Sequence, residues 1–567
     1  MKIEENSFIN RHLELDLFKK KAEETAQGRG EDLFLISPWG RGKSALLKKL
    51  KEILFWGQEE IIPVYFSFSR NYFDLLDFAE EYLASVLGQI LLFDQKDRIA
   101  LLRQSPLSFS GLKQEAERQG KEIIEEIILT HHRASRTKDE RKGLLNALTA
   151  PTRIAQASNK PVWMMVDHIQ VIEILSVTGK GLAGIWREAI ASPWAPHLFS
   201  GEPPGYLLKH LIPSFGPPDI AVMELSPFPE EAGEELSQFL EKIFKVRIAK
   251  DLRTSWFLFL ESNPGFFYFL IREARLEAPE LESHQRFVEL YLKSLWQGEI
   301  GRRFENQLND LAVVDPRDGH LLLKILAQLL KSEGAGLAIT ELSKTADWSL
   351  EKEALLIRHL ERAGLIWERF GTIGLEKNRV LRDWVAVLVR RHLRGENLDQ
   401  LIQQFGKEIE AGLSKLKERE ESVFHSGQKG MEFNLVLPIN SESELVAVRA
   451  LEQIATYSDL EETSIEKIKV ALIEACINAG EHSQSFEKKI RVYFSVQPQS
   501  IEIAVEDRGQ AFDPVAVQAR MVRDEVPFSK KRGRGIALIR ELMDEIRFEK
   551  TEFGTRLYMI KKITKPI

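Results

Sequence analysis

A glycine-containing segment near the start of the chain carries residues that could bind phosphate. The segment SPWGRGKS places Gly40 and Gly42 directly before Lys43 and Ser44. Glycine lets backbone N–H groups turn inward around a phosphate, a lysine at this position can reach the β- and γ-phosphates, and the serine hydroxyl can ligate Mg²⁺. The spacing therefore predicts a P-loop that binds ATP with Mg²⁺.

A P-loop is accompanied by a second strand that ends in an acid. The segment KPVWMMVDHIQ supplies one, because an apolar run leads directly to Asp167, which could hold Mg²⁺ through water and serve catalysis. His168 follows at the position where many hydrolases have a water-activating glutamate, and Ser37 replaces the usual first glycine of the loop. We therefore expect nucleotide binding without fast hydrolysis; a βαβ core with an incidental glycine turn is the alternative.

A second set of candidate residues lies near the C-terminus. In EACINAGEHS, Glu474 and Asn478 are four residues apart and share one helix face, with His482 one turn further on. Asn478 offers an oxygen to Mg²⁺, and Glu474 can act as a base. In KKRGRGIAL, Gly533 and Gly535 open a helical pattern whose first amides can bind phosphate.

The residues around a predicted β-hairpin complete this second set. Asp507 follows the second strand, where its carboxylate can accept a hydrogen bond from an adenine amino group, and Gly509 lets the backbone come close. Thr555 follows a glycine at the start of the strand FGTRLYMIKK. We expect all three residues to contact the nucleotide.

The P-loop must be positioned by a strand before it and a helix after it. EDLFLIS at 31–37 reads as a buried strand, and ALLKKLKEIL has helical apolar spacing. Further runs at 61–69, 196–201 and 219–228 predict strands separated by helices. We therefore expect a multidomain α/β protein in which helices cover both faces of a parallel sheet and a helical lid follows.

The order and spacing of these segments resemble the STAND or archaeal-type branch of the AAA+ ATPases, over roughly residues 5–300. The matching segments are SPWGRGKS, WMMVDHIQ, LFSGEPPGYL and SNPGFFYFL. The resemblance implies that Asn263 and Pro264 lie near the adenine and that Ser200 lies near the sensor position after the fourth strand. An ordinary Asn-Pro-Gly turn that caps a helix is the alternative for the first two residues.

Residues 318–390 resemble a winged helix, with three helices followed by two short strands around LIWERFGTIGLE. Its third helix, SLEKEALLIRHLERAG, would read DNA if the domain did so. The charges on this helix are mixed rather than basic. The resemblance implies an internal packing module, and we do not expect DNA binding.

The C-terminal segments resemble the Bergerat-fold (GHKL) ATPases, and within them the anti-sigma-factor serine/threonine kinases, over roughly residues 433–563. EACINAGEHS, VEDRGQAFDP and GRGIALIRELMDEIRF match three nucleotide-binding boxes. The resemblance implies an α/β sandwich in which Glu474 is the catalytic base toward a serine hydroxyl on a small antagonist protein and Asn478 is the Mg²⁺ ligand. Ala511 and Ala537 stand where glycines are frequent, which leaves kinase activity open.

These patterns divide the chain into five parts. We expect a P-loop AAA+/STAND core at 1–228, a helical lid at 229–300, a winged helix at 301–392, a helical linker at 393–430 and a Bergerat-fold domain at 431–567.

Composition limits the choice of partners. A net charge of -7 gives no whole-chain reason for a nucleic-acid partner, and a single cysteine excludes an intrachain disulfide and fits the cytoplasm. No apolar run is long enough to cross a membrane. A homo-oligomer is expected only from the family resemblance.

The function expected is that of an ATP-dependent bacterial signalling protein. Its P-loop ATPase module would regulate the C-terminal kinase, which would act on a STAS-like antagonist protein or a sigma factor, with ATP and Mg²⁺ as cofactors. One alternative is a nucleotide-gated scaffold of a stress or defence type that has no kinase activity. Another is a transcription regulator that uses the winged helix, which the acidic charge disfavours.

Overall fold

The protein is described here by a computed structural model that divides into two compact units, Met1–Lys417 and Glu418–Ile567. We call them the N-terminal and C-terminal units. Among the described residues no helix is long and apolar enough to cross a membrane. The structure describes residues 8–563 apart from 69–71, 73, 97–107, 174–175, 178–179, 191, 216–219, 278, 310–315, 333–335, 343–349, 370, 427–430, 439–442, 456–460, 483–488, 498–499, 507–533 and 552–553.

A parallel sheet forms the centre of the N-terminal unit. Its described strands lie in the order β2–β3–β4–β1–β5, and every neighbouring pair is parallel. Because the strands are parallel, their carboxyl ends meet at one edge of the sheet, where the P-loop also begins. The strands are β1 Leu33–Ile36, β2 Ile62–Ser67, β3 Val162–Asp167, β4 His197–Gly201 and β5 Ala221–Glu224.

Helices cover both faces of this sheet. Alternate strand residues point to opposite faces, so Phe34 joins one apolar core while Leu35 joins another. Helices α1 and α2 pack on the face of Leu35, and α3 to α7 pack on the other. The helices are α1 His12–Ala26, α2 Lys43–Gly57, α3 Leu75–Phe93, α4 Phe109–Arg118, α5 Glu122–Thr137, α6 Glu140–Ser158 and α7 Leu182–Ile190.

The rest of the N-terminal unit is mainly helical and shares one apolar core. Within it a small antiparallel sheet has the order β6–β8–β7. The helices are α8 Glu230–Phe244, α9 Arg253–Phe259, α10 Pro264–Glu277, α11 His284–Trp296, α12 Glu299–Asn309, α13 Pro316–Lys331, α14 Ile339–Leu342, α15 Leu350–Arg362 and α16 Arg379–Leu393, and the strands are β6 Leu337–Ala338, β7 Ile366–Arg369 and β8 Thr372–Leu375. The short pairs Ser176–Val177 with Lys180–Gly181 and Arg247–Ile248 with Glu280–Leu281 complete its described strands. Helix α17, Leu398–Ser426, begins in this unit and ends in the C-terminal unit.

The C-terminal unit is an α/β sandwich. Its described strands form an antiparallel sheet in the order β9–β10–β11–β13–β12, and its core is closed by apolar residues of helices that pack on one face. The elements are β9 Met431–Pro438, α18 Ser443–Ala455, α19 Glu462–His482, β10 Lys489–Gln497, β11 Ser500–Glu506, α20 Arg534–Leu542, β12 Glu545–Thr551 and β13 Gly554–Lys562.

The predicted fold class is confirmed in both units, with one local difference. The segment matched to the last glycine box begins with the expected helix, but α20 ends at Leu542, and Phe548 lies in β12, a strand that the sequence analysis did not assign. The sequence from Glu545 alternates charged and apolar residues, and its apolar side chains pack against the sandwich core. This period of two is the strand signal that the sequence analysis overlooked.

Candidate nucleotide-binding sites

The P-loop lies between β1 and α2, as its sequence predicts. Gly40 and Gly42 have φ of 83° and 93°, which is the left-handed region that favours glycine. A Cβ on Gly40 would also overlap the side-chain oxygen of Asn263. Helix α2 begins at Lys43, and no described side chain caps its N-terminus. Its first amides are therefore available to an anion.

Lys43 is buried and fully engaged by its neighbours. Its Nζ donates to the carbonyl oxygen and the Oγ of Ser37, both at 2.9 Å, and to the carbonyl oxygen of Pro38 at 3.2 Å. Its Nζ also lies 3.4 Å from Oε2 of Glu202. Burial lowers the pKa of Lys43, while the charges of Glu202 and Asp167 oppose that shift.

Asp167 ends β3 and collects hydroxyl groups from neighbouring elements. Tyr65 donates to Oδ2 at 2.9 Å, Ser200 donates to Oδ1 at 2.5 Å, and Ser44 also donates to this carboxylate. Burial alone would raise the pKa of Asp167, but the charge of His168 and these hydrogen bonds hold it below its usual value. The structure thus brings together Ser44 and Asp167, the two residues that the sequence analysis assigned to Mg²⁺, and places beside them Ser200, which the resemblance put near the sensor position.

His168, which follows Asp167, has a left-handed backbone conformation. Its φ is 60°, and its Nδ1 lies 3.0 Å from Oγ of Ser67. The side chain is about as exposed as a surface residue, at 39%. Where a water-activating glutamate would stand, the chain therefore presents a partly solvated imidazole that hydrogen bonds to β2.

Asn263 and Pro264 lie at the start of α10. The Nδ2 of Asn263 donates to the carbonyl oxygen of Trp39 at 2.8 Å, and the N–H of Gly265 donates to the carbonyl oxygen of Gly40 at 3.0 Å. The resemblance placed Asn263 and Pro264 near an adenine; the structure places Asn263 directly against the backbone of the P-loop. The turn before α10 therefore fixes the shape of that loop.

Two arginines connect the same loop to segments farther along the chain. Arg41 donates to the carbonyl oxygens of Glu261 at 2.7 Å and Ser262 at 3.0 Å. Arg11 donates to the carbonyl oxygens of Arg41 at 3.2 Å and Ser226 at 2.5 Å. Hydrogen bonds from distant parts of the N-terminal unit thus constrain the loop.

Sequence reasoning missed Glu202. It follows β4 in the segment LFSGEPPGYL, and only 7% of the residue is exposed. Besides Lys43 it pairs with Arg303 of α12. A buried carboxylate is rare unless paired, so an acid directly after a buried strand was the signal that could have identified it.

In the C-terminal unit, Glu474 and Asn478 lie together against the start of α20. A Cβ on Gly535 would overlap Oε1 of Glu474 and would lie 2.8 Å from Nδ2 of Asn478. A larger residue at this position would therefore displace the ends of both side chains. The N-terminal end of α20 faces a carboxylate and an amide, as the two sequence boxes predicted.

Two polar atoms in this unit are buried without a hydrogen-bond partner among the described residues. They are Nδ2 of Asn478 and Oγ1 of Thr555. Thr555 is at the start of β13 and is 3% exposed. Buried polar atoms in native proteins are nearly always paired, and an unmet atom points to a missing water, ion or ligand. Both atoms can donate a hydrogen bond, which fits the phosphate oxygens of a nucleotide, and Oδ1 of Asn478 could then ligate Mg²⁺.

The other predicted contacts of this site lie outside the described residues. Asp507, Gly509 and Gly533, together with Ala511, fall in 507–533. The structure does describe Glu506, which immediately precedes Asp507. Glu506 accepts a hydrogen bond from Nε of Arg556 at 2.9 Å. This ion pair anchors the end of β11.

The remaining residues of α19 are partly described. His482 ends the helix, and its side chain lies outside the described set. Cys476 lies between Glu474 and Asn478 and is 3% exposed. Burial raises the pKa of its thiol to about 12, so Cys476 is a core residue rather than a nucleophile.

Comparison with known proteins bears on the C-terminal unit. The family model "Histidine kinase-like ATPase domain" matches residues 439–561. Serine-protein kinase RsbW of Staphylococcus aureus strain MRSA252 is 33% identical over 118 residues, which are 70% of that protein and 20% of this chain. Through this domain, the chain belongs to the RsbW family. RsbW of strain MW2 is 31% identical over the same share of each chain.

These matches confirm the predicted Bergerat-fold domain. The N-terminal unit is similar to the Walker-type ATPase of Pyrococcus abyssi, with 13% identity, 67% of this chain and 97% of that chain covered, and a TM-score of 0.43. It is also similar to the Orc1 protein of Aeropyrum pernix, solved in complex with DNA, with 12% identity, 67% and 93% coverage and a TM-score of 0.34. The P-loop assignment rests on the loop geometry and the parallel sheet.

Proposed function

We propose that this chain is an ATP-dependent signalling protein in which the P-loop module regulates a C-terminal serine/threonine kinase that acts on a protein partner. One observation carries the kinase assignment. Glu474 and Asn478 lie side by side against the glycine start of α20, in a domain that is related to a serine-protein kinase. A base and a Mg²⁺ ligand beside a phosphate-binding helix start are what phosphoryl transfer requires.

The residues of the C-terminal unit divide the reaction between them. The Glu474 carboxylate accepts the proton of a serine or threonine hydroxyl on the partner as that oxygen attacks the γ-phosphorus. The γ-phosphoryl group moves to the hydroxyl oxygen, and ADP leaves. Nδ2 of Asn478 and the hydroxyl of Thr555 would donate hydrogen bonds to oxygens of the nucleotide, and Oδ1 of Asn478 would ligate Mg²⁺. When bound, Mg²⁺ neutralises charge on the phosphate oxygens.

The P-loop site would hold a second nucleotide in a regulatory role. Its amides and Lys43 would bind the phosphates, and Ser44 and Asp167 would hold Mg²⁺, which the hydrogen bond between these two residues supports. The imidazole of His168 in place of a glutamate fits slow turnover and a long-lived bound state.

The proposal keeps the five-part division of the chain. The 1–228 core and the 229–300 lid hold the regulatory nucleotide, the winged helix at 301–392 is an internal packing module, and 393–430 connects them to the kinase at 431–567. The partner is a small STAS-like antagonist protein or a sigma factor, the location is the cytoplasm, and nucleotide drives any self-association.

Phosphate transfer from γ-labelled ATP to a co-encoded small STAS-like protein tests this function. Glu474→Gln removes the base while keeping shape, so transfer should fall about 100-fold or more, with ATP still bound. Glu541→Gln is the matched control, because Glu541 is an exposed residue of α20. Transfer that survives Glu474→Gln would refute the catalytic assignment.

A scaffold without kinase activity predicts a different pattern. ATP would bind at both sites, no partner would be phosphorylated, and the oligomeric state or partner binding would differ between ATP and ADP. Ala537, exposed on α20 where a glycine is frequent in the family, is the observation that favours this second candidate. The same assay, run beside light scattering in each nucleotide, separates the two functions.

A further inference from the structure

Glu202 connects the P-loop lysine to an arginine from a distant helix. Its Oε2 lies 3.4 Å from Nζ of Lys43, and its Oε1 pairs with Nη2 of Arg303. The side chains of Lys43, Glu202 and Arg303 are 7%, 8% and 16% exposed. All three charges are therefore largely removed from water, where ion pairs are strong and their geometry matters.

Arg303 reaches the P-loop as well as the carboxylate. Its guanidinium lies over the ring of Trp39, 5.2 Å from the centroid. Trp39 belongs to the P-loop itself, and its carbonyl oxygen accepts the hydrogen bond from Asn263. Arg303 on α12 thus lies beside the loop, with Glu202 between its guanidinium and the ammonium of Lys43.

This arrangement sets up a competition for Lys43. The lysine of a P-loop binds the β- and γ-phosphates, yet here a carboxylate shares its ammonium. A nucleotide phosphate must replace Glu202 at Nζ, and the carboxylate repels the incoming anion. Arg303 acts in the opposite direction, because it offers Glu202 a second partner and shields its charge.

We propose that Glu202 is an internal competitor for Lys43 that sets the affinity of the P-loop for nucleotides, and that Arg303 takes over Glu202 when a phosphate binds Lys43. The inference rests on the proposed binding of nucleotide at the P-loop and adds the residues that determine its affinity. ATP gains more than ADP from release of Lys43, because its γ-phosphate brings additional negative charge to that ammonium.

Neutralising Glu202 and neutralising Arg303 should change the affinity of the P-loop for ATP in opposite directions. Glu202→Gln removes the competitor and the repulsion, so ATP should bind about tenfold tighter and ADP by a smaller factor. Arg303→Gln leaves Glu202 with Lys43 as its remaining cation, so ATP should bind about tenfold weaker. Arg303→Lys keeps the charge and should restore much of the affinity.

Fluorescent mant-ATP and mant-ADP titrations of the full-length chain test the proposal. The P-loop component is the binding that Lys43→Ala removes, and circular dichroism checks the fold of every variant. Glu241→Gln is the matched control, because Glu241 pairs with Arg253 at 2.7 Å at a site away from the loop. That variant should leave both affinities unchanged.

The outcomes distinguish failure of this inference from failure of the proposed nucleotide binding at the P-loop. Opposite shifts for Glu202→Gln and Arg303→Gln support it, whereas loss of affinity in both would show a structural role and overturn it. Unchanged affinities with an intact P-loop component also overturn it. If Lys43→Ala removes no binding, the P-loop assignment itself fails. Should Glu202→Gln not fold, the contrast between Arg303→Gln and Arg303→Lys decides alone.

Discussion

The polar side chains of the P-loop and those of the RsbW-like site are paired in different ways. Lys43 has partners in Ser37, Pro38 and Glu202, and Asp167 accepts hydrogen bonds from surrounding hydroxyls. In the C-terminal unit, by contrast, the described residues leave Nδ2 of Asn478 without a partner. A ligand at the first site must exchange with contacts that the fold already makes, whereas a ligand at the second adds contacts that the fold lacks.

The difference has thermodynamic consequences. At the P-loop, a ligand must replace internal contacts, so its net affinity depends on how strong those contacts are. The protein can therefore tune that affinity through residues that never touch the ligand. In the C-terminal unit, a ligand adds contacts, so binding stabilises the domain directly. The reason is that pairing a buried polar atom removes the free-energy cost of leaving that atom without a hydrogen bond. A regulatory site and a catalytic site are expected to differ in this way, and the following experiments examine that contrast.

The largest effect is expected at Gly535. Gly535→Ala places a methyl group against Oε1 of Glu474 and 2.8 Å from Nδ2 of Asn478, so both side chains must move. Displacement of catalytic groups by about 1 Å can lower activity about 100-fold, and we expect a loss of that size in phosphate transfer. Stability should change little, because the crowded atoms are the ends of side chains.

Gly88→Ala is the control for this substitution. Its added methyl group would meet only Leu112, at the ordinary contact distance of 3.8 Å, among the described neighbours. Radiolabelled transfer and calorimetric unfolding measure the two effects. A Gly535→Ala protein that transfers phosphate normally would contradict the close packing of α20 on α19.

A stability loss is expected at the P-loop lysine. Lys43→Met removes one cation from Glu202 and leaves it buried with Arg303, so unfolding of the N-terminal unit should become easier by about 2 kcal/mol. Lys48→Met, on an exposed position of α2, should leave stability unchanged. Urea titration followed by circular dichroism measures both, and equal stability of the two variants would show that the internal pairing contributes nothing.

The opposite sign is expected at Thr555. Thr555→Val keeps the shape but removes a buried hydroxyl that has no described partner, so the C-terminal unit should be equally stable or up to about 1 kcal/mol more stable. Its affinity for ATP should nevertheless fall about tenfold. Thr463→Val, at an exposed position of α19, controls for the methyl group. A destabilised Thr555→Val protein would mean that the hydroxyl is satisfied in solution.

The smallest effect is expected at Lys209, which follows Glu202 in the chain and pairs with Glu361 of α15. Nζ of Lys209 pairs with Oε1 of Glu361 at 2.9 Å, and Lys209 is 39% exposed. Such partly exposed pairs contribute up to about 1 kcal/mol, so Lys209→Met should accelerate amide exchange in α15 severalfold. Nucleotide affinity should not change. Unaltered exchange in α15 would exclude this ion pair as a restraint on the helix.

The sequence predicted the local parts of both sites because their signals are short. The strand, loop and helix around Gly42 and Lys43 carry their own pattern, and so does the strand that ends at Asp167. The facing of Glu474 and Asn478 follows from helix periodicity alone. These features need no knowledge of distant residues.

The parts that escaped prediction depend on residues far apart in the chain. Glu202 and Arg303 are separated by 101 positions, and Asn263 lies 224 positions from Trp39. The acid after a buried strand marks Glu202 itself as a candidate, but neither pairing leaves a local signature that identifies the distant partner. Strand β12 escaped because its alternation directly follows an amphipathic helix, which made the boundary hard to place.

The positions of the buried Cys476 and of the tryptophans allow the two units to be monitored separately. All 10 tryptophans of the chain occur before residue 418, and the sole cysteine occurs after it. Indole fluorescence therefore reports the N-terminal unit alone, while the slow reaction of the one thiol with a colorimetric reagent reports opening of the C-terminal unit. The protein carries two independent optical channels, and a cysteine introduced on its surface would be the first thiol that a dye reaches.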